Sequence, residues 1–212
     1  MSQDALPDSL PIFPLNGVLL LPGGQLPLNI FEPRYLAMMD AALKDSRLIG
    51  MVQPRTIPRN LTDDDTVAVY DTGCAGRITH FEETGDGRYL ITLTGVARFK
   101  IAEEQPIVSG YRRVKPEWSY PKDKETSDCL GIDRSRLTTM LEAYFSLQGL
   151  DCDWKAIEGA PDNRLITCLA MVCPFDAREK QALLEAECCK ARAKLFMTLL
   201  EMALSGPCDA KH

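Results

Sequence analysis

The side chains best suited to nucleophilic or acid–base chemistry here are His80 and eight cysteines: Cys74, Cys129, Cys152, Cys168, Cys173, Cys188, Cys189 and Cys208. Any Ser-His-Asp or Cys-His arrangement would have to recruit His80, because the other histidine is the terminal His212. His80 lies in a strand-like run, Arg77-Ile78-Thr79-His80-Phe81, with Cys74 nearby in sequence and no nucleophile motif beside it. The expectation is a histidine on a sheet face with one polar partner, and a hydrolase built on His80 with a cysteine or serine is the competing one. The cysteines form no CxxC pair, so no zinc site is expected. Cys188 and Cys189 are neighbours on a predicted helix, where successive side chains diverge by about 100°. That disfavours a vicinal disulfide and places one thiol in the core and the other partly in solvent.

Cation and phosphate chemistry find equally little support. Asp63-Asp64-Asp65 lacks the alternating ligands and later glutamate of a calcium loop, and reads as a solvated turn, as do Glu82-Glu83 and Glu103-Glu104. A phosphate-binding GxxxxGK[ST] loop is excluded because no Gly-Lys pair occurs. Gly85-Asp86-Gly87 superficially resembles the start of a dinucleotide fingerprint, but it lies between two strands and reads as a hairpin turn with Asp86 and Gly87 at positive φ. Arg112-Arg113 with Tyr111 and Trp118 could stack on and pair with RNA, although neighbouring strand residues point to opposite faces. No catalytic residue, metal or cofactor is expected.

The formal charge of −6, from 24 Lys+Arg and 30 Asp+Glu in 212 residues, argues against DNA, whose binding needs a basic face. Both sides of residue 120 carry 12 basic and 15 acidic side chains, so no basic domain is hidden in either. The first residues have neither a basic n-region nor an apolar core, and the run from Val18 to Leu21 is stopped by Pro22. These features predict a soluble, cytoplasmic chain whose cysteines are thiols and which has no membrane partner.

The elements that must position these residues divide near residue 120. Seven of eight valines and ten of fourteen glycines precede it, while eleven alanines and thirteen leucines follow it. The first part therefore reads as strands and the second as helices. Leu10 to Leu15, Val18 to Leu21 and Leu26 to Ile30 are short apolar runs broken by prolines, as expected at the edges and bends of a curled sheet or small barrel. Pro33 opens a helix whose stripe is Tyr35, Met38, Met39 and Ala42. Further strands are expected over Leu48 to Gln53, Val67 to Tyr70, Gly76 to Glu83, Tyr89 to Leu93, Val96 to Glu103 and Ser109 to Glu117. In the strand after the hairpin Tyr89, Ile91 and Leu93 share one face, and Leu90, Thr92 and Thr94 the other. Residues 121–130 read as a polar linker. Helices follow, one ending at Gly149 and one before Pro174. A capping box at Asp176 and Glu179 opens a stretch that runs from Ala182 into a long final helix, ending at Gly206-Pro207.

Four segments in order carry a family resemblance. Leu10-Pro11-Ile12-Phe13-Pro14-Leu15-Asn16-Gly17-Val18-Leu19-Leu20-Leu21-Pro22-Gly23-Gly24, continuing through Leu26-Pro27-Leu28-Asn29-Ile30-Phe31-Glu32-Pro33-Arg34-Tyr35, resembles the opening of the LON N-terminal, or substrate-binding, domain. Asp71 to Ile78 and Asp86 to Ile101 are similar to its central hairpin, and Gln181 to Ala186 with Arg192 to Leu195 to its helical end. The resemblance implies an α+β fold: a PUA-like β pseudo-barrel over 8–120, the linker 121–130 and a helical bundle over 131–206. It further implies a non-enzymatic module that recognises unfolded or tagged polypeptides, with a protease or an ATPase as partner. The ATPase and Ser-Lys peptidase modules of LON proteases are absent from these 212 residues. An RNA-binding PUA-like module is the alternative, and oligomeric state is left open.

Proline-broken strands leave unpaired edges to which an extended peptide could add, and exposed apolar side chains with methionines could form an adaptable groove. Leu19, Leu21, Pro22 and Leu26, around the Gly23-Gly24 turn, are the candidate peptide contacts, with core packing as the competing role for each. The Phe31 to Tyr35 segment is assigned to structure, with Arg34 pairing to a carboxylate.

Overall fold

Among the described residues the β-branched and glycine-rich first part forms six strands and one helix, and the alanine- and leucine-rich remainder forms five helices. In the computed structural model residues 6–56, 67–118, 120 and 131–205 are described. The acidic run at 63–65, the linker 121–130, Cys129, Cys208 and His212 lie outside them. The order is β1 (Leu10–Pro14), β2 (Gln25–Ile30), α1 (Pro33–Lys44), β3 (Leu48–Val52), β4 (Thr72–Glu83), β5 (Tyr89–Val108) and β6 (Tyr111–Glu117). Then come α2 (Arg134–Gln148), α3 (Trp154–Gly159), α4 (Asp162–Val172), α5 (Ala177–Glu185) and α6 (Cys189–Ser205).

The strands pair in the order β2-β5-β4-β3-β1-β6, and β6 also pairs with β5, so five of them close on themselves. The 20-residue β5 makes closure possible. Its first residues lie between β2 and β4, and from Lys100 onward it pairs with β6. Register shifts between Ala75 and Gly76, and between Ile78 and His80, bend the β4–β5 ladder. β1 and β3 run parallel, with Phe13 opposite Met51.

Strand β3 is buried throughout, and its alternate residues feed two apolar clusters. Leu48 and Val52 join Leu10, Ile12, Phe99 and Val114 in the smaller one. Ile49 and Met51 enter the larger, which also holds Met38 and Met39 of α1, Leu141 of α2, Leu169 of α4 and Phe196 of α6. One continuous core thus joins the sheet to the helices.

Several helix boundaries follow from local chemistry. Pro33 occupies the first turn of α1, where no backbone donor is lost. Asp133 caps α2 by accepting from the Arg136 amide at 3.0 Å, and Gly149 ends that helix at φ 66°. Asp176 and Glu179 form the expected capping box of α5. Arg134 ties α3 to α4 by pairing with Asp162 at 2.6 Å and donating to the Ile157 carbonyl at 3.1 Å.

The structure corrects four expectations about elements. Residues 18 to 21 are not a strand: they join no ladder, and Leu19, Leu20 and Leu21 pack into the core as an irregular segment. The stretch from Val67 to Tyr70 contributes only an isolated bridge, Val69 to Pro54. The segments from Tyr89 and from Val96 are one strand, since Gly95 lies flush against the Leu21 carbonyl without ending the ladder. The stretch expected to run into the final helix is broken between Glu185 and Cys189, where the chain turns so that both helices pack on the core. Helix α3 carried too short an apolar pattern to be read.

The hairpin turns also differ from expectation. At the β4–β5 turn only Gly87 has positive φ, 80°, and the Thr84 amide donates to the Arg88 carbonyl at 2.9 Å. This is a three-residue loop closed by a left-handed glycine rather than a two-residue turn. The two-residue turn lies at β5–β6, where Ser109 and Gly110 have φ of 52° and 80°.

Among the described residues no helix is long and apolar enough to cross a membrane.

Candidate functional site

The residues with catalytic potential are dispersed. His80 is exposed on β4, with Glu82 Oε2 3.9 Å from its Nε2, which matches the expected sheet-face histidine with one polar partner. Cys74 is buried six positions away on the same strand, about 20 Å at the usual rise, and its thiol points to the Ala75 carbonyl. A Cys74–His80 pair is therefore excluded by distance. Cys188 and Cys189 are both half-buried, so neither is the core thiol expected. Cys188 precedes the helix instead of lying on it, which removes the premise of that expectation. Burial pushes the Cys173 thiol up to about 12, the opposite of activation.

The residues proposed for RNA contact are consumed by the fold. Arg112 is buried, pairing with Glu104 at 2.5 Å and donating to the Val67 carbonyl at 2.8 Å. Arg113 donates to Ser9 Oγ, and Trp118 donates to the Pro7 carbonyl while its ring meets Phe99 edge-on. Tyr111 is buried.

Of the four candidate peptide contacts, Leu19 and Leu21 lie in the large core at 2% and 0% exposure, so their side chains are not presented to a ligand. Their segment crosses between sheet and helices and fills that junction with leucines. It is gripped at Gly17, whose amide donates to Gln53 Oε1 at 3.0 Å and whose carbonyl accepts from Lys180 Nζ at 2.8 Å. Gln53 Nε2 in turn donates to the Ala177 carbonyl of α5 at 3.0 Å. Desolvation lowers the pKa of the buried Lys180.

Pro22 and Leu26 are half-buried beside the Gly23-Gly24 turn. A side chain on Gly24 would collide with Met171 Sδ, so Met171 of α4 rests directly on this turn. Next to Met171, Val172 is 67% exposed, the most open large apolar side chain among the described residues. Helical spacing from Leu165 and Leu169 would place Val172 on the buried stripe of its helix. Helix α4 ends there, and Cys173 takes the buried position instead.

The second open surface is the solvent-facing side of β2, β5 and β4 near their shared end. Along β2 the exposure alternates, with Gln25, Pro27 and Asn29 out and Leu26, Leu28 and Ile30 in. Leu90 lies opposite Asn29 and opposite Glu82, so it is flanked diagonally by Pro27 and by Phe31, the residue after the strand. Phe31 is 61% exposed and Leu90 38%. The Arg88 guanidinium lies 6.0 Å from the Phe31 ring and pairs with Asp86 at 3.0 Å. The hydroxyl of Thr84 and then Arg88 hold the Asp86 carboxyl below its ordinary range. Phe31 had been assigned to structure. The signal that could have found this face was Leu90, an aliphatic residue on a side otherwise occupied by threonines. Arg34 pairs with Glu32 at 2.8 Å, as expected.

The outer edge of β2 is one place where strand addition could occur. The Gly95 amide donates to the Gly24 carbonyl, so the even-numbered residues of β2 bond to β5 and Gln25, Pro27 and Asn29 aim their backbone groups outward. Pro27 has no amide hydrogen, and its ring faces the open side at the centre of the edge. Such an edge resists a continuous added ladder.

The family model described as the ATP-dependent protease La (LON) substrate-binding domain matches residues 9–202. The chain is 28% identical over 206 residues to Lon protease 2 of Myxococcus xanthus, covering 94% of this chain and 24% of that protein. It is 28% identical over 204 residues to the Lon protease of Anaeromyxobacter dehalogenans, with the same coverage. It thus spans about a quarter of the length of the curated relatives it matches. Solved structures of Lon N-terminal domains share its fold. The Lon N-terminal domain protein from Xanthomonas campestris has a TM-score of 0.62 at 24% identity, covering 90% of this chain and 97% of that one. The N-terminal domain of the Mycobacterium avium complex Lon protease has a TM-score of 0.63 at 16% identity, covering 91% and 98%.

Proposed function

The chain belongs to the LON substrate-binding domain family, and from that premise we propose that it is a polypeptide-recognition module with no catalytic chemistry of its own. The observation that carries the proposal is the group of apolar residues at the Gly23-Gly24 turn, where half-buried Pro22 and Leu26 flank a backbone on which Met171 rests, with the open Val172 next to Met171 in the chain. A methionine has three rotatable bonds and a polarizable sulfur, so such a surface adapts to varied apolar side chains. Contact through side chains is the mode assigned, because Pro27 interrupts the outer edge of β2.

In this proposal the ligands are unfolded or tagged polypeptides, and a separate ATPase or protease acts on what is held. The closed ring of strands supports the description of 8–120 as a PUA-like pseudo-barrel docked on a helical unit over 131–206. A cytoplasmic location belongs to the same proposal.

The test is fluorescence anisotropy with a labelled, permanently unfolded polypeptide and with short apolar peptides. Saturable binding that weakens in Val172→Ser and Met171→Ser is expected. Absence of binding to every unfolded chain at millimolar protein would overturn the proposal.

A further inference from the structure

We propose that the solvent-facing side of β2, β5 and β4 is a second docking surface, whose occupant is an unfolded segment carrying an aliphatic or aromatic side chain beside a lysine or arginine. This rests on the polypeptide-binding proposal above and adds to it a second place and a ligand chemistry.

The apolar part is the diagonal formed by Phe31, Leu90 and Pro27, drawn from two strands and a strand end. Alternation along both strands puts these three on the same side, away from the core that takes Ile30, Ile91 and Leu93. An exposed phenylalanine beside an exposed leucine on a flat sheet face offers apolar area without a cavity, which suits an extended segment better than a small molecule.

The charge around it selects the occupant. Glu82 lies directly across β4 from Leu90 and shares its face, whereas Glu83 lies opposite Tyr89 on the other. Both are exposed. The ion-pair partner of Glu82 is a histidine at 3.9 Å rather than a lysine or arginine. The nearby guanidinium, Arg88, is already engaged by Asp86 and lies over Phe31. Across the sheet the outward backbone groups of β2 include the carbonyls of Gln25, Pro27 and Asn29, while Pro27 removes one donor. Beside the apolar diagonal the carboxylates of Glu82 and Asp86 therefore outnumber the Arg88 guanidinium. A lysine or arginine next to an apolar side chain satisfies both features, and a glutamate in its place would be repelled.

The test uses the full chain and three labelled short peptides with identical apolar residues, flanked by lysine, glutamine or glutamate. At low salt the lysine peptide is expected to bind about five-fold tighter than the glutamine peptide, and the glutamate peptide more weakly still. The preference should shrink in high salt and reverse in the E82K variant. Phe31→Ser and Leu90→Ser should weaken all three peptides. These side chains are exposed, and unchanged urea midpoints establish that the variants fold. Equal affinity for the three peptides, or a preference that survives charge reversal, overturns this proposal. If the peptides bind and only the Val172 and Met171 variants weaken them, the first surface stands and this one falls. If no peptide binds, both fall. Sedimentation of the wild type as a dimer that Phe31→Ser converts to monomer would assign the face to a second copy of the chain and overturn the proposal as well.

Discussion

Arg98 of β5 donates from Nη1 to the carbonyl of Ala186, the C-cap of α5, at 2.6 Å. It also reaches the Leu184 carbonyl at 2.8 Å, and its guanidinium lies 4.2 Å from the Tyr120 ring. The side chain is 1% exposed. A buried cation thus meets the negative end of a helix and supplies donors to carbonyls that the helix itself leaves unpaired.

Removing that cap should loosen the sheet from the helices. Arg98→Met is expected to cost about 3 kcal/mol, because two carbonyls are left buried without donors. Arg98→Lys should recover only part of this, since one compact ammonium cannot reproduce the planar fork. Urea unfolding midpoints at unchanged slope measure both.

Gln53 is 2% exposed and joins Gly17 to Ala177 through both ends of its amide. Gln53→Ala is expected to destabilise by about 2 kcal/mol. Amide exchange should report faster opening over residues 15–24 than over β3, because the grip on the loop is lost while the strand ladder remains.

Gly95 and Gly85 lie ten residues apart and should respond oppositely. A side chain on Gly95 would collide with the Leu21 carbonyl, which is backbone and cannot swing away. Gly85 has no neighbour within 4 Å. Gly95→Ala is expected to cost about 3 kcal/mol or more, and Gly85→Ala to stay within about 0.5 kcal/mol, by thermal or urea unfolding.

Alkaline pH should destabilise the protein through groups buried in their protonated forms. The Cys173 thiol, ordinarily near 9.0, is pushed by burial to about 12, and the Tyr144 hydroxyl rises from 10.0 to about 12 for the same reason. The folded state then holds more protons than the unfolded state between these limits. The stability these groups contribute is therefore complete below about pH 9 and is lost as pH rises toward 12. Lys180 acts with the opposite sign, because desolvation lowers it from 10.5 and its burial cost vanishes on deprotonation. Urea midpoints from neutral pH upward should fall less steeply in Cys173→Ala than in the wild type, and the exposed Cys168→Ala should not differ.

The sequence by itself determined the division into a strand-rich part and a helical part, the helix start at Pro33, the capping box at Asp176 and the LON-type order of segments. Each is a local or compositional signal, in which the residue that decides the outcome lies within one turn or one strand of its effect. It also separated Leu90 from Tyr89 and Ile91 by alternation, and so contained half of the second surface. What only the tertiary structure decided is where consecutive apolar residues point when no period constrains them. Leu19 and Leu21 are in the core that the sheet and the helices share, and Val172, the last residue of its helix, is open. The closure of β6 onto β5 and the outward turn of Pro27 likewise depend on pairings between distant residues, which are set by the summed burial of both partners and leave no trace in either segment alone.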